Sequence, residues 1–423
     1  MESWPTFSDV LSSVAKAWQR KKTDECLLTL ALPLSNVDPL LKLPTVARGN
    51  RFRFLWDNTP GLCIAAAGRC QHFELSGPKR FELAQRFADV TIGRLVDVTP
   101  EAPLHARPRI LFSFSFFEQT SERKNFVFVP PGVQAVIPRW QLSRRGNSCW
   151  IRLNALATDE AEARELVEKL YMMRDSLLQD AEHESNLGLD FCSGFSLPKE
   201  WEDSYRPALI HGIDLINSCA LDKLVLAVRH TIALDEPLEP LDMLLRLRGE
   251  QTGSCRFLWQ QNQDHVFFGA SPERLLTLYG SNLLIDALAG TAGCQENGEN
   301  LLRSDKDLRE HELVVASIVN QLNARGLKPL VPAKPSLARH GRLLHLHTPI
   351  SAIAKDYSPI YLAEFLHPTP AVAGVPRREA LNWLKTLEPF ERGSYAAPIG
   401  WLDSDGNAEF RVAIRCGTSK GNE

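Results

Sequence analysis

Residues 305–322, DKDLREHELVVASIVNQL, bring two carboxylates and a histidine close to a run of apolar residues. At helical spacing the apolar residues form one stripe that includes His311. The other members of this stripe are Leu308, Val315, Ile318, Val319 and Leu322. Asp307, Glu310 and Val314 fall along its margin. Carboxylates that lie partly over a core are costly unless a cation or a donor satisfies them, so this margin is a candidate cation site.

Lys223 opens a second candidate, the segment DKLVLAVR at residues 222–229. The alternation is that of a strand, and it places Lys223 on a face that is small in the middle and cationic at both ends. A half-exposed strand with solvated ends explains this pattern, and periodicity alone favours that interpretation. The alternative is a lysine over a cavity, desolvated enough to act as a neutral base.

Glu273 is the third candidate, in the segment GASPERLL. Pro272 interrupts strand pairing and places Glu273 where a new strand begins. The ordinary interpretation is a turn with an exposed acid. If a base faces it, the two groups would divide the acid and base roles of a reaction between them.

Several further residues are candidates for holding an anion. Residues 286–293, DALAGTAG, are predicted to be a glycine-containing loop whose amides approach a ligand. His345 and His347 share one strand face, where satisfied core histidines are the simpler interpretation. Tyr395 and Arg415 would grip a carboxylate, because a guanidinium matches that group in a planar fork.

Composition restricts the function classes. The chain has 423 residues, 44% hydrophobic and 23% charged, as expected for a globular protein with a substantial core. A net charge of −3, with Lys and Arg spread along the chain, argues against a nucleic-acid partner. Nine widely spaced cysteines without a C-x-x-C pair indicate reduced thiols rather than disulfides or a zinc site. With no signal-like or membrane-spanning segment, we expect a cytoplasmic protein without a membrane partner.

Strands alternate with helices in an order that predicts an α+β fold built on antiparallel hairpins. Residues 109–152 are predicted to be a strand meander, which includes NFVFVP at 125–130, and residues 397–416 a hairpin whose turn contains Asp405 and Gly406. The predicted helices include 159–179, 200–221, 305–322, 358–366 and 376–387. The predicted strands that would carry site residues include 222–230, 265–271, 273–280 and 343–350.

The ordered motifs resemble a known family. DKLVLAVR, GASPERLL, DALAGTAG, DKDLREHELVV, LHLHTPI, LHPTPAVAGVP, EPFERGSYAAPIGW and AEFRVAIRC occur here in the order found in chorismate-utilising enzymes. The match is most similar to isochorismate synthases and is dense over residues 200–416. It implies large antiparallel sheets flanked by helices. Residues 1–150 would be a divergent part of the same α/β sandwich, 151–416 the chorismate-binding catalytic core, and 417–423 a polar tail.

The resemblance implies that water attacks C2 of chorismate, the double bonds shift and the C4 hydroxyl leaves, giving isochorismate. Lys223 would be the base that activates the water, and Glu273 the acid that protonates the leaving hydroxyl. The lysine would have to be neutral and the glutamate protonated near neutral pH, and burial would favour both forms.

The resemblance also implies a magnesium ion, with Glu310 as a ligand and Asp307 as an outer acid, often acting through water. A bound magnesium ion would explain why two carboxylates lie at the margin of the apolar stripe in the predicted helix. The substrate-binding residues implied by the family motifs are Gly290, Thr291, His345, Tyr395 and Arg415.

Two positions bear on the product. Ammonia-using relatives, the anthranilate and aminodeoxychorismate synthases, typically have glutamine where this chain has Lys223, so water is the expected nucleophile. Salicylate synthases share the lysine and go on to eliminate pyruvate; they are associated with a threonine near position 371, where this chain has alanine. Isochorismate is therefore the favoured product and salicylate the nearest alternative.

This sequence departs from the family pattern in two places. The family usually reads Y-A-G where this chain has Tyr395, Ala396 and Ala397, so we expect an added methyl group near the substrate. After Arg415 the family continues through another strand and a helix with a second pair of metal glutamates, and we expect both elements to be absent here. A chain without these ligands would bind magnesium weakly, and a weakly active or non-catalytic chorismate-binding protein is the alternative from another functional class. We expect a monomer serving quinone (menaquinone) or siderophore biosynthesis.

Overall fold

The structure is a computed structural model that describes residues 5–19, 25–118, 130–179, 200–232, 234, 238–262, 264–295 and 298–421. The α-helices in these residues are α1 (Phe7–Gln19), α2 (Leu43–Val46), α3 (Arg80–Arg94), α4 (Glu160–Gln179), α5 (Glu200–Asn217), α6 (Pro240–Glu250), α7 (Gly298–Arg303), α8 (Asp305–Ala324), α9 (Pro359–Leu366) and α10 (Arg377–Leu387). One short 3₁₀ helix spans Leu104–Ala106.

The strands of the first half are β1 (Cys26–Ser35), β2 (Arg53–Asp57), β3 (Leu62–Leu75), β4 (Leu95–Asp97), β5 (Arg109–Phe114), β6 (Val133–Arg145) and β7 (Ser148–Ala157). Those of the second half are β8 (Lys223–Leu224), β9 (Cys255–Gln260), β10 (His265–Ser271), β11 (Arg274–Tyr279), β12 (Asn282–Gly293), β13 (Ser336–His340), β14 (Leu343–Ile353), β15 (Gly374–Val375), β16 (Pro398–Asp403), β17 (Ala408–Val412) and β18 (Cys416–Lys420).

One large sheet joins the two halves. Its main path runs β13-β14-β12-β11-β17-β16-β5-β6-β3-β2-β9-β10-β18. A branch leaves this path at β6, which pairs with β7; β7 pairs in turn with β1, and β1 pairs with β4. Every pairing in it is antiparallel except β1 with β4. The expected α+β fold, with large antiparallel sheets and flanking helices, is confirmed. A separate two-stranded ribbon, β8 with β15, carries Lys223.

The main core packs the β11, β12, β14, β16 and β17 side of the sheet against helices α3, α8 and α9. The buried residues of α8 are His311, Val314, Ile318 and Leu322. Its helical prediction is confirmed, but the apolar stripe is rotated: Val314, expected at the margin, is buried, while Val315 and Val319 are only half-buried. Asp307 and Glu310 remain half-buried at the edge of the stripe.

The structure corrects two predictions near the candidate site. Residues 286–293, expected to be a loop, lie in strand β12, because each pairs along β14 apart from an irregularity at Gly290. Residues 222–229, expected to be one strand, contribute only Lys223 and Leu224 to regular pairing.

The chain beyond Arg415 also differs from expectation. Residues 417–423 were expected to be a polar tail after the hairpin that ends at Cys416, and Cys416–Lys420 instead form β18, paired antiparallel with β10 from His265 to Gly269. The predicted strand at 125–130 lies outside the described residues except for Pro130. In the described ranges, we find no helix long and apolar enough to cross a membrane.

Candidate functional site

Lys223 is held at the start of a short ribbon. Its backbone pairs with Val375, and Leu224 pairs with Gly374. Gly374 has a φ of +150°, and a Cβ there would lie 2.3 Å from the carbonyl oxygen of Lys223. This close approach needs glycine, so the backbone carrying Lys223 is fixed by packing against β15.

The Lys223 side chain reaches the margin of α8. Its Nζ donates to Glu310 Oε1 at 2.9 Å, and the side chains are 11% and 38% exposed respectively. The two charged candidates from separate parts of the sequence therefore form one ion pair. Half-burial of the pair strengthens it relative to one in open solvent.

Glu273 lies in the interior, 3% exposed, between β10 and β11. Burial raises the pKa of its carboxyl group to about 7, while a hydrogen bond from Thr369 and the charge of Lys223 act in the opposite direction. The ammonium of Lys223 is thus close enough to act on Glu273. The exposed-turn interpretation of this acid is wrong, because the side chain is desolvated and titrates near neutrality.

The first turn of α8 packs against the irregular point of β12. Ser304 caps the helix, and its hydroxyl donates to Asp307 Oδ2 at 2.5 Å. Gly290 has a φ of +74°, and a Cβ there would lie 3.3 Å from Asp307 Cβ. Gly290 therefore allows β12 to approach the carboxylates of α8.

His345 links the irregular point of β12, at Gly290, to Arg415. Arg415 donates from Nη2 to His345 Nε2 at 2.6 Å, and an arginine can only donate, so the ring proton is on Nδ1. Nδ1 lies 3.0 Å from Thr291 Oγ1 and 3.2 Å from Gly290 O. Burial, and then the Arg415 charge, lower the pKa of His345 and favour this neutral ring.

His347, on the same strand face, has a different partner. Its Nε2 lies 2.9 Å from Asp286 Oδ1. Both rings are bonded, so the interpretation of a satisfied histidine holds for both. His345 is buried, whereas His347 is half-buried, and His345 also belongs to the polar cluster of Arg415, Gly290 and Thr291.

Tyr395 is a further candidate substrate residue, and the Arg392 guanidinium lies 5.9 Å from the centre of its ring. Tyr395 is half-buried, and burial is the main reason that the pKa of its phenol is raised, with smaller contributions from Cys416 and Glu273 among others. Its neighbour Ala396 has a φ of +60°, and Ala397 is fully buried. Arg415 also has a left-handed φ of +51°, so backbone strain gathers around the candidate substrate residues.

Direct contacts join Lys223 to Glu310 and join His345 to Arg415, Thr291 and Gly290, and Gly290 lies against Asp307, one turn before Glu310. Glu273 is related to Lys223 and to Tyr395 through the charges that act between them. Sequence reasoning missed Thr369, whose Oγ1 donates to Glu273 Oε1 at 2.8 Å with both residues buried. Its signal was its place between two prolines in LHPTPAVAGVP, a motif in which only position 371 was considered for a role. The buried Glu388 and Arg392 of EPFERGSY were missed in the same way.

Whether the margin of α8 could hold a metal ion depends on the side-chain atoms that are available there as metal ligands. Across the described ranges, no three acidic, histidine or cysteine side chains gather closely enough to hold a metal ion. Asp307 and Glu310 each engage one carboxylate oxygen with a neighbour, which leaves Asp307 Oδ1 and Glu310 Oε2 as donors. Two carboxylates fit a hard cation that keeps water and substrate oxygens as its other ligands.

Comparison with known proteins adds a family match. A family model described as chorismate binding enzyme matches residues 12–423. Isochorismate synthase MenF of Bacillus subtilis is 36% identical over 229 residues, which are 52% of this chain and 48% of that protein. The salicylate biosynthesis isochorismate synthase of Pseudomonas aeruginosa is 38% identical over 225 residues, 51% of this chain and 46% of that protein. The match spans about half the length of these curated relatives.

Solved structures share the fold over more of the chain. The menaquinone-specific isochorismate synthase MenF of Escherichia coli superposes with a TM-score of 0.74 at 22% identity, covering 98% of this chain and 91% of that one. Component I of anthranilate synthase from Streptococcus pneumoniae gives a TM-score of 0.65 at 16% identity, covering 86% of this chain and 85% of that one.

Proposed function

The chain belongs to the chorismate-binding enzyme family, and from this premise we propose that it is a magnesium-dependent isochorismate synthase. The observation that carries the proposal is the burial of Glu273, which raises the pKa of its carboxyl group to about 7, together with Lys223, whose side chain reaches Glu310 and whose charge acts on Glu273. The reaction adds water at C2 of chorismate and removes the C4 hydroxyl. It needs one group that accepts a proton and one that donates a proton.

Lys223 is the proposed base. Its ammonium now donates to Glu310, so it must leave that carboxylate and lose a proton before it can accept one from the attacking water. The ribbon that fixes its backbone limits this movement to the side chain.

Glu273 is the proposed acid, and Thr369 determines which of its oxygens carries the proton. The threonine hydroxyl donates to Oε1, so a proton on the carboxyl group is best placed on Oε2. A carboxylic acid with a pKa of about 7 is about half protonated at neutral pH, and its protonated form can protonate the departing hydroxyl.

Asp307 and Glu310 would hold the magnesium ion. When bound there, the ion would neutralise the ring carboxylate of chorismate and orient it over the α8 margin. Arg415 and Tyr395 would hold the other carboxylate. The contacts of Arg415 use Nη1 and one Nη2 hydrogen, which leaves Nε and the second Nη2 hydrogen as an edge that fits a carboxylate.

Product analysis tests this function. We expect purified protein supplied with chorismate and Mg²⁺ to form isochorismate without pyruvate. Salicylate and pyruvate in equal amounts would instead assign a salicylate synthase, the second candidate, which uses the same lysine. Chorismate that binds but is not consumed would overturn both and leave a non-catalytic binding protein.

A further inference from the structure

The segment that follows Lys223 has no regular strand partner beyond Leu224 within the described residues. Pairing in the ribbon ends at Leu224, and Val225 N donates one more bond to Ala373 O at 2.9 Å. Beyond that point the backbone must find other partners, because buried amides and carbonyls are rarely left unbonded.

A buried ion pair supplies these partners. Glu388 and Arg392, one turn apart, contact each other through Nη2–Oε1 at 2.5 Å and Nε–Oε2 at 2.8 Å, with side chains at most 2% exposed. Glu388 Oε1 also accepts from Ala227 N at 2.8 Å, and Arg392 Nη2 donates to Val225 O at 2.9 Å. The pair therefore takes the place of a neighbouring strand.

The same arginine also holds the segment that carries Thr369. Its Nη1 donates to Val372 O at 2.7 Å, and the amides of Val372 and Ala373 both donate to Thr369 O. Thr369 in turn bonds Glu273. One guanidinium thus contacts the segment bearing the proposed base and the loop that orients the proposed acid.

We propose that the Glu388–Arg392 pair is a positioning device that sets Lys223 and the Thr369–Glu273 unit in register with each other. This inference rests on the proposed function. Neither residue needs to touch substrate. Arginine suits the role because its planar fork reaches a carboxylate and two carbonyls at once, which the single ammonium of lysine cannot reproduce.

A merely structural role would also make this pair important for stability, so the test needs a matched control. Arg256 is a second buried arginine, 2% exposed, bonded to the carboxylate of Asp57 and to a backbone carbonyl, that of Ser254. It lies on β9, outside the candidate site. Arg392→Lys and Arg256→Lys each replace a buried guanidinium, which bonds a carboxylate and backbone carbonyl oxygen, by a single ammonium. The first substitution lies at the candidate site and the second lies outside it.

We expect Arg392→Lys to lower kcat for isochorismate formation by about 10- to 100-fold with KM changed less than about threefold, because misplacement affects the reacting groups more than binding. Arg256→Lys should lower the melting temperature comparably and leave kcat within about twofold. If both variants lose stability and keep kcat, the positioning role is wrong. If Arg392→Lys fails to fold, Glu388→Gln, which keeps an acceptor for Ala227 N, takes its place in the same assay.

Hydrogen–deuterium exchange separates failure of this inference from failure of the proposed function, because it needs no turnover. In Arg392→Lys we expect faster exchange at both 223–229 and 369–373, whereas in Arg256→Lys neither segment should change. Faster exchange at only one of the two segments would overturn the coupling, whatever reaction the enzyme performs.

Discussion

At the scale of single residues, the environment of each proposed catalytic group matters more than its identity. The family motifs predicted Lys223 and Glu273 by type and position, but a pattern of letters cannot give desolvation, which raises the pKa of Glu273 to about 7. Thr369 was missed for the same reason, since its role depends on a contact 96 positions away in the chain.

Replacing Glu273 with Gln should remove the activity and make the protein more resistant to urea at high pH. The raised pKa means that the folded state holds a proton that the unfolded state has lost, so wild-type stability falls as pH rises towards about 7. The stability advantage of the variant should therefore grow by on the order of 2–3 kcal/mol between about pH 5 and about pH 8. Parallel urea unfolding of both proteins measures this difference. An advantage independent of pH would contradict the burial-based account.

Thr369→Val should shift the pH dependence of kcat. In the wild-type protein the hydrogen bond from Thr369 lowers the pKa of Glu273. Removing this bond therefore raises the pKa of Glu273 further and moves the basic limb of the pH profile to higher pH. We expect kcat at neutral pH to fall about tenfold, because the acidic proton is no longer directed to one oxygen. Thr369→Ser keeps a donor and serves as the control. Coincident basic limbs for the Val and Ser variants would exclude this role of the hydroxyl.

At the scale of elements, helix α8 was predictable, whereas strand β12 and the short extent of β8 were not. A 3.6-residue period with an N-cap is local information, and it identifies α8 directly. DALAGTAG has low strand propensity, but pairing with β14 overrides it. The segment after Lys223 alternates like a strand, yet its backbone bonds go to Glu388 and Arg392 rather than to another strand.

Gly374→Ala tests the ribbon that carries Lys223. The added Cβ would lie 2.3 Å from Lys223 O and 2.9 Å from Ala380 Cβ, so the ribbon must open and displace the lysine. We expect a loss of about 2–5 kcal/mol in unfolding free energy and a fall in kcat, measured on the same preparation. Gly326→Ala, with a φ of +77° and open space around it, should lose about 1 kcal/mol and keep its activity. A fully active Gly374→Ala would show that the ribbon does not position Lys223.

At the scale of the whole molecule, the large sheet, the separate ribbon that carries Lys223 and helix α8 together bring site residues from positions 223 to 415 into one part of the fold. Its α+β class and many of its strands were predictable, because hairpins and alternation are local signals. Its strand order was not: β5 pairs with β16 and β2 with β9, and such long-range partners leave no periodic trace in a single sequence. β18 was missed because residues 417–420 are polar, and their strand structure depends on the edge offered by β10.

The central claim is that Lys223 activates water against C2 of chorismate while Glu273 protonates the leaving hydroxyl. Turnover in H₂¹⁸O tests this claim most directly. The account predicts isochorismate carrying one ¹⁸O at C2, formed by the wild-type protein and lost in both Lys223→Ala and Glu273→Gln. Unlabelled isochorismate, or labelled product formed at the wild-type rate by either variant, would contradict it.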